Sequence, residues 1–364
     1  MNKLLNSDLD LKSEQSLSPL RSLHTHQWFK LICGASYQHI PSVRNLALVY
    51  TLAGADCIDM APDPAIVRAA QTGIDVAREM INDRLIIDPR LMYDNQKLAT
   101  PLIMVSFNAG EDPHFRKAEF DHTVCPSVCD RPCETACPTN AIQFSDDLPL
   151  GFSGVSDHLC YGCGRCLPLC PVQIIHTREQ VYRPDAIYDL VTDGTINAIE
   201  IHTMPGRITE FAQLWQQLAP VVDRLKLVAV SFPDGENLKE YLTALLDLMQ
   251  PQPASLIWQT DGRPMSGDIG NGTTRAALLL GQKVLELGLP RGFVQLAGGT
   301  NASTVTKLRA AGINIAGVAY GSYARQLVAN FLDRGGDRLE AHPELLWQAV
   351  AQAKELVAQI KSRT

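Results

Sequence analysis

Eight of the chain's ten cysteines fall between residues 125 and 170 as two runs, Cys125, Cys129, Cys133, Cys137 and Cys160, Cys163, Cys166, Cys170, each closed by Cys-Pro. This is an iron–sulfur pattern. The second run reads C-x2-C-x2-C-x3-C-P, the spacing that lets three thiolates close on one cubane while the fourth reaches a neighbouring cluster. Pro138 and Pro171, which lack an N–H, turn the chain away after the last cysteine of each run. A disulfide framework competes, but a chain of 364 residues with no secretory signal in its polar first 27 is expected to keep its thiols reduced. Zinc ribbons also compete, and they rarely overlap so tightly.

Residues 125–171 resemble the bacterial two-cluster ferredoxins, in which the last cysteine of each run ligates the other run's cluster. The resemblance implies one [4Fe–4S] cluster on Cys160, Cys163, Cys166 and Cys137. The first run departs from that family, with x3, x3 and x3 between its cysteines where x2, x2 and x3 is usual. Skipping Cys129 leaves Cys125-x7-Cys133-x3-Cys137-Pro138, which resembles the seven-iron ferredoxins and implies a [3Fe–4S] cluster on Cys125, Cys133 and Cys170. Alternatively Cys129 binds a fourth iron, making this a second [4Fe–4S] cluster that interconverts with the three-iron form. The spacing leaves both open.

The remaining sequence is long enough, at 46% hydrophobic content, for a barrel-sized core beside a small module. A formal charge of −7 without a Lys/Arg cluster argues against a nucleic-acid surface. No apolar run approaches the ~18 residues of a membrane span, so the chain is expected to be cytoplasmic and not transmembrane. Residues 1–28 are polar with scattered leucines and read as a flexible tail or docking arm.

Outside the cysteines, short β-rich runs alternate with helical patterns. Strands are expected at 30–35, 56–60, 101–107, 197–202, 225–231, 255–259, 293–296 and 314–319. Most are continuous apolar runs, as suits strands covered on both faces. Helical patterns lie at 43–53, 64–82, 209–219, 237–249, 273–286 and 302–311. Eight such units predict an α/β chain folded as a (β/α)8 TIM-type barrel, in preference to an open doubly wound sheet. The ferredoxin-like module (109–182) then interrupts the barrel (29–108 and 183–364) after its third strand, ahead of a helix near 183–191. Because βα loops gather at the C-terminal face, the insertion would stand beside the barrel mouth.

Two loops at that face carry a candidate anion site. Gly298, Gly299 and Thr300 follow the seventh strand, and Gly321 and Ser322 follow the eighth, within Tyr320-Gly321-Ser322-Tyr323-Ala324-Arg325. Glycines there bring backbone N–H groups to an anion, and a helix N-terminus adds its dipole. This resembles the phosphate site of many (β/α)8 enzymes, flavin-dependent ones included, so a flavin or phosphate ligand is a candidate. Tight turns alone would also explain the glycines. On the fourth strand Glu200 and His202 share the inward face. Asp59, Gln259, Asp261 and Gln295 join them from other strands, and Arg207 or Arg263 could pair with an acidic ligand. A polar network that merely fills the barrel is the alternative. The glycine-rich loop 261–274, with Gly262, Pro264, Gly267, Gly270 and Gly272, reads as a lid or a mobile turn. Cys33 and Cys57 read as buried small hydrophobes, with Cys33 near enough to the rim to be a redox candidate. No Ser/His/Asp motif, Walker loop or dinucleotide fingerprint stands out, so no catalytic residue is assigned.

The runs CPSVCDRPCETACP and CYGCGRCLPLCP, together with VQLAGGTN and GVAYGSYAR, resemble the LdpA family, the light-dependent period proteins of cyanobacteria. The resemblance covers essentially all of the chain after the tail. It implies a part in circadian-clock input, reporting cellular redox state, chiefly the plastoquinone pool, to the Kai oscillator and its associated histidine kinases. On this view the chain is a non-enzymatic redox sensor with quinone as an electron partner. The rival is a barrel oxidoreductase passing electrons from the clusters to a flavin or phosphorylated ligand. A plain electron carrier would not need a large barrel.

Overall fold

The computed structural model describes residues 19–83, 99–144, 154–263, 270 and 272–362. Ten strands follow in order: β1 (Trp28–Gly34), β2 (Cys57–Met60), β3 (Leu102–Asn108), β4 (Arg116–Glu119), β5 (His176–Glu179), β6 (Ala198–His202), β7 (Leu227–Phe232), β8 (Leu256–Asp261), β9 (Phe293–Ala297) and β10 (Gly317–Tyr320). Eight of them close a barrel in the order β1, β2, β3, β6, β7, β8, β9, β10 and back to β1, all neighbours parallel. This is the expected TIM-type fold, and every expected strand overlaps a barrel strand. The antiparallel pair β4 and β5 belongs to the insertion, which leaves the barrel after β3 and returns before β6. The helix expected near 183–191 is a 3-10 turn, Pro184–Ile187, running into a short helix, Tyr188–Thr192.

Alternation along each strand divides the barrel interior into two layers. Toward the N-terminal end Trp28, Cys57, Met104, Ala198, Leu227 and Ile257 form one buried apolar cluster. Two residues further along β1, β2, β3, β6 and β8 the inward positions become Lys30, Asp59, Ser106, Glu200 and Gln259, all fully or almost fully buried. The apolar end seals the barrel, and the polar end faces the insertion.

Of the segment 1–28, residues 1–18 lie outside the described residues, while 19–28 are docked. Helix Arg21–His24 places Leu23 against the apolar cluster, and Ser22 Oγ donates to Asp56 Oδ1 at 2.7 Å. Trp28, counted with the tail from sequence, opens β1 at 0% exposure. Among the described residues no helix is long and apolar enough to cross a membrane.

Helices Ile40–Ala53 and Pro64–Asn82 approach most closely at Gly73, where an added Cβ would lie 2.1 Å from the Arg44 carbonyl oxygen. Backbone cannot yield cheaply there. Gly73→Ala is expected to destabilise the chain by about 1–3 kcal/mol, seen as a lower urea midpoint at unchanged slope.

Candidate functional site

The polar layer is organised around Lys30. Its Nζ contacts Glu200, lies 3.2 Å from Asp59 Oδ2 and donates to Gln259 Oε1 at 2.9 Å. Gln259 Nε2 donates to Glu200 Oε1 (2.7 Å) and Ser231 Oγ (3.0 Å), Trp28 Nε1 to Gln295 Oε1 (2.6 Å), and Ser106 Oγ to Asp59 Oδ1 (2.7 Å). Burial opposes charge on Lys30, but the carboxylates of Asp59 and Glu200 outweigh it and raise the pKa. For Glu200 burial is overcome by Lys30 and His202, which hold the carboxyl below its ordinary range. For Asp59 burial prevails and the pKa rises. Sequence reasoning found Glu200, Asp59, Gln259 and Gln295 and missed Lys30. Its signal was a lysine at the inward parity of an otherwise apolar strand.

Above this layer His202 Nε2 meets Glu200 Oε1 at 2.8 Å, while its Nδ1 lies 3.8 Å from Asp112 Oδ2. Asp112 and His114 come from the connector between β3 and β4. Asp112 Oδ1 accepts from the His114 backbone N–H and lies 2.7 Å from His114 Nδ1, and His114 Nε2 is 3.4 Å from Asp261 Oδ2. Burial would disfavour the imidazolium of His114, but the Asp112 carboxylate outweighs it and pushes the pKa up to about 9. The same contacts hold Asp112 well below the usual carboxylate range against its own burial. Neither residue was legible as a site, because the connector has no strand or helix period.

Asp59, Glu200, His202, His114, Gln259 and Asp261 line a cavity of about 110 Å³ that also touches Gly298, Gly299, Thr300, Gly321 and Ser322. Gly298 and Gly299 take φ +62° and +93°, and a Cβ on Gly298 would fall 1.7 Å from Asp261 Oδ1. Glycine is therefore demanded by a close approach as well as by the turn. Thr300 Oγ1 donates to the Ala319 carbonyl at 2.6 Å, a bond that fastens the loop to β10. Arg263 borders the cavity, but Arg207 does not: it pairs with Glu210 at 2.9 Å. Of the loop read as a lid, 264–269 and 271 lie outside the described residues. Gly270 is tied down by Thr273 Oγ1 (2.8 Å) and Asn301 Nδ2 (2.7 Å). Cys33 and Cys57 are fully buried, and burial pushes the Cys33 thiol up to about 12 and that of Cys57 well above its ordinary value. Cys33 is thereby unsuited to the redox role considered from sequence.

In the insertion, Cys137 and Cys160, Cys163, Cys166 line one cavity. The other four thiols gather separately. Burial raises the Cys125 pKa, and the neighbouring thiols of Cys129 and Cys170 add to it; Cys133 is raised by burial and by Cys170 and Cys125. The last cysteine of each run thus stands with the other run. Backbone N–H groups point at the sulfurs, Ala141 N to Cys137 Sγ at 3.2 Å and Ala118 N to Cys160 Sγ at 3.5 Å. Burial of Cys170 is outweighed by N–H groups of Ile174, Ile175, Val172 and Gln173, which lower its pKa. Converging thiols with N–H donors aimed at them fit iron–sulfur ligation.

Tyr161 joins the two regions. Its ring stands edge-on to Tyr37, and the residue lines both the barrel cavity and the cavity lined by Cys137, Cys160, Cys163 and Cys166. The Arg325 guanidinium sits 4.1 Å above that ring and donates from Nη1 to the Ile32 carbonyl at 2.8 Å. Gly162, with φ +72° and no room for a Cβ against the Arg116 carbonyl at 2.2 Å, lets the loop reach the barrel rim.

Residues 190–359 match the family described as the light dependent period A C-terminal domain, and residues 125–181 the LdpA Fe-S cluster-binding domain. The Light dependent period A protein of Synechococcus elongatus is 47% identical over 353 residues, 94% of each chain. An uncharacterized ferredoxin of Methanocaldococcus jannaschii is 32% identical over 60 residues, 16% of this chain and 34% of that protein. Among solved structures, a fructose-bisphosphate aldolase from Campylobacter jejuni aligns with a TM-score of 0.42 at 7% identity, covering 94% of this chain and 91% of the other.

Proposed function

The chain belongs to the light dependent period A family, and from that membership we propose that it is an iron–sulfur redox sensor whose output adjusts circadian period. Cys137, Cys160, Cys163 and Cys166 hold a four-iron cluster. Cys125, Cys133 and Cys170 hold a three-iron cluster, with the Cys129 thiol beside Cys125 placed to take a fourth iron. Such clusters supply reversible one-electron chemistry at potentials set by cluster type, hydrogen bonds to sulfur and exposure.

The observation that carries this reading is the shared wall at Tyr161. A change of one charge behind that ring acts on Arg325, which spans Tyr161 and β1, so the insertion's redox state biases its seat on the barrel. The electron partner we propose is a quinone, which takes two electrons and two protons to become quinol, one electron coming from each cluster site. Support comes from the apolar surface around the Cys125, Cys129 and Cys170 group. Val124, Val128, Leu169 and Val172 flank those cysteines and are exposed, Val128 by 88%. The proposed recipients of the signal are the Kai oscillator and its associated histidine kinases.

The test is electron paramagnetic resonance of anaerobically reduced protein before and after an oxidised quinone analogue, with limited proteolysis in parallel. Quinone-dependent spectra together with a changed cleavage pattern in the insertion are expected. Unchanged spectra, or identical cleavage in both states, would overturn the sensor reading. Cys129→Ala is expected to keep the three-iron signal and lose only conversion to four irons. Loss of the whole signal would make Cys129 an obligatory ligand.

A second reading is favoured by the way the Gly298–Gly299 and Gly321–Ser322 loops border the polar cavity. Helix Ser322–Gly335 begins there, so a phosphate-bearing ligand or flavin would meet backbone N–H groups. Calorimetric titration with inorganic phosphate and flavin mononucleotide separates the two, since saturable binding supports a ligand-using barrel.

A further inference from the structure

We propose that Asp112, His114 and His202 form a binding site for one divalent first-row transition metal at the barrel mouth, separate from the cysteine-held clusters. One donor atom from each lies within 4.8 Å of the others. A bound ion draws such atoms to roughly 3–3.5 Å of one another, at metal–ligand distances near 2.0–2.2 Å, a closure that side-chain rotation supplies. Two imidazoles and one carboxylate suit iron(II), manganese(II), cobalt(II) or zinc(II), and leave coordination positions open. Those positions face the cavity that Asp59, Ser231 and Gly299 also line.

The surroundings are those of a built site. Each histidine turns Nδ1 toward Asp112 and Nε2 toward a different carboxylate. His202 Nε2 meets Glu200 Oε1 at 2.8 Å, and His114 Nε2 lies 3.4 Å from Asp261 Oδ2. A carboxylate behind the far nitrogen fixes ring orientation and tautomer and makes the near nitrogen a better ligand. Glu200 is itself held by Lys30 and by Gln259 Nε2 at 2.7 Å, so His202 is braced from the barrel floor. Asp261 is almost fully buried, and the donors it meets among the described residues are the Arg263 backbone N–H and, at 3.4 Å, His114 Nε2. Burying a carboxylate with so few donors is costly, and a cation, or water bound to it, in this mouth would relieve that cost.

The site also has a mechanical consequence. Asp112 and His114 lie in the connector that leaves β3 for the insertion, whereas His202 ends β6 of the barrel. The Ser36 hydroxyl already donates to the His114 carbonyl at 3.3 Å from the β1 side. An ion held by all three ligands would clip the root of the cysteine module to the barrel.

The test is a manganese(II) titration of the full-length, cluster-loaded protein after passage over a chelating resin, following the room-temperature resonance of free manganese. Manganese is chosen because its preference for oxygen and nitrogen keeps it off the thiolates. One saturable ion per chain is expected. His114→Gln and Asp112→Asn should each weaken binding at least about tenfold, and Glu200→Gln by about 10–100-fold through its hold on His202. Lys283→Ala, which removes an exposed ion pair with Asp234 far from the three ligands, should leave binding unchanged. His114 borders solvent and its Gln variant is the one most apt to fold, which retained cluster absorbance and circular dichroism would verify. If no saturable binding occurs, or if folded His114→Gln and Asp112→Asn titrate as the parent does, the site does not exist.

Discussion

Cys137→Ala is expected to abolish the cluster whose other thiols come from the second run, and to spare that of Cys125, Cys133 and Cys170. Iron per chain should fall by about half, with the three-iron resonance retained. Cys170→Ala should do the reverse. The expectation rests on Cys137 sharing a cavity with Cys160, Cys163 and Cys166, and on Cys170 standing beside Cys125 and Cys133. If each run held its own cluster, Cys137→Ala would instead remove the three-iron signal. The effect should extend beyond spectra. The insertion's own buried core contains Ala118, Phe120, Ala141, Ile142, Val155 and Ile175 with Cys133, Cys166 and Cys170 among them. A core this small, partly made of the ligands themselves, depends on what the ligands bind. Each variant should therefore become protease-sensitive within the insertion while the barrel stays resistant, as peptide mapping of the first cleavage sites would reveal.

The barrel was legible because its strands are covered on both faces and so read as apolar runs, and because Ile199-Glu200-Ile201-His202 displays its inward positions by alternation. What escaped were residues whose roles depend on distant partners. Lys30 looks misplaced in its strand until Asp59, Glu200 and Gln259 are brought to it. Asp112 and His114 sit in a connector whose course is set by the β4 and β5 pair, not by a local period. Arg207 follows β6 closely in sequence, yet the chain turns at 204–207 and carries its side chain to Glu210. The crossing of the two cysteine runs came from resemblance to ferredoxins; spacing alone leaves sequential pairing possible. The docked residues 19–28 are polar enough to read as tail because their apolar contact rests on Leu20, Leu23 and Trp28, with Ser22 bonded to Asp56.

Lys30→Met is expected to be the most damaging single change in the barrel. Its Nζ is the cation between Asp59 and Glu200, and all three side chains are almost completely removed from water. Removing one partner of a buried ion pair leaves uncompensated charge and costs about 3–5 kcal/mol, a large share of the ~5–15 kcal/mol that holds a typical domain folded. The loss should depend on pH. Without Lys30 the folded-state pKa of Asp59, already above its ordinary 3.8, must rise further, and that of Glu200, held below its ordinary 4.5, must rise too. Below that range both carboxyls are protonated, folded or unfolded, and the penalty vanishes. As pH climbs the unfolded chain releases its protons first, so the penalty grows until the folded groups ionise too. Urea unfolding of variant and parent at pH 5 and pH 8 should therefore show the larger gap at pH 8. Adding Glu200→Gln to Lys30→Met should recover part of it, since one stranded charge is then gone. A variant as stable as the parent at pH 8 would mean that water or a rearranged side chain compensates the two carboxylates, and that the polar layer is held by its amide and hydroxyl bonds instead of by charge.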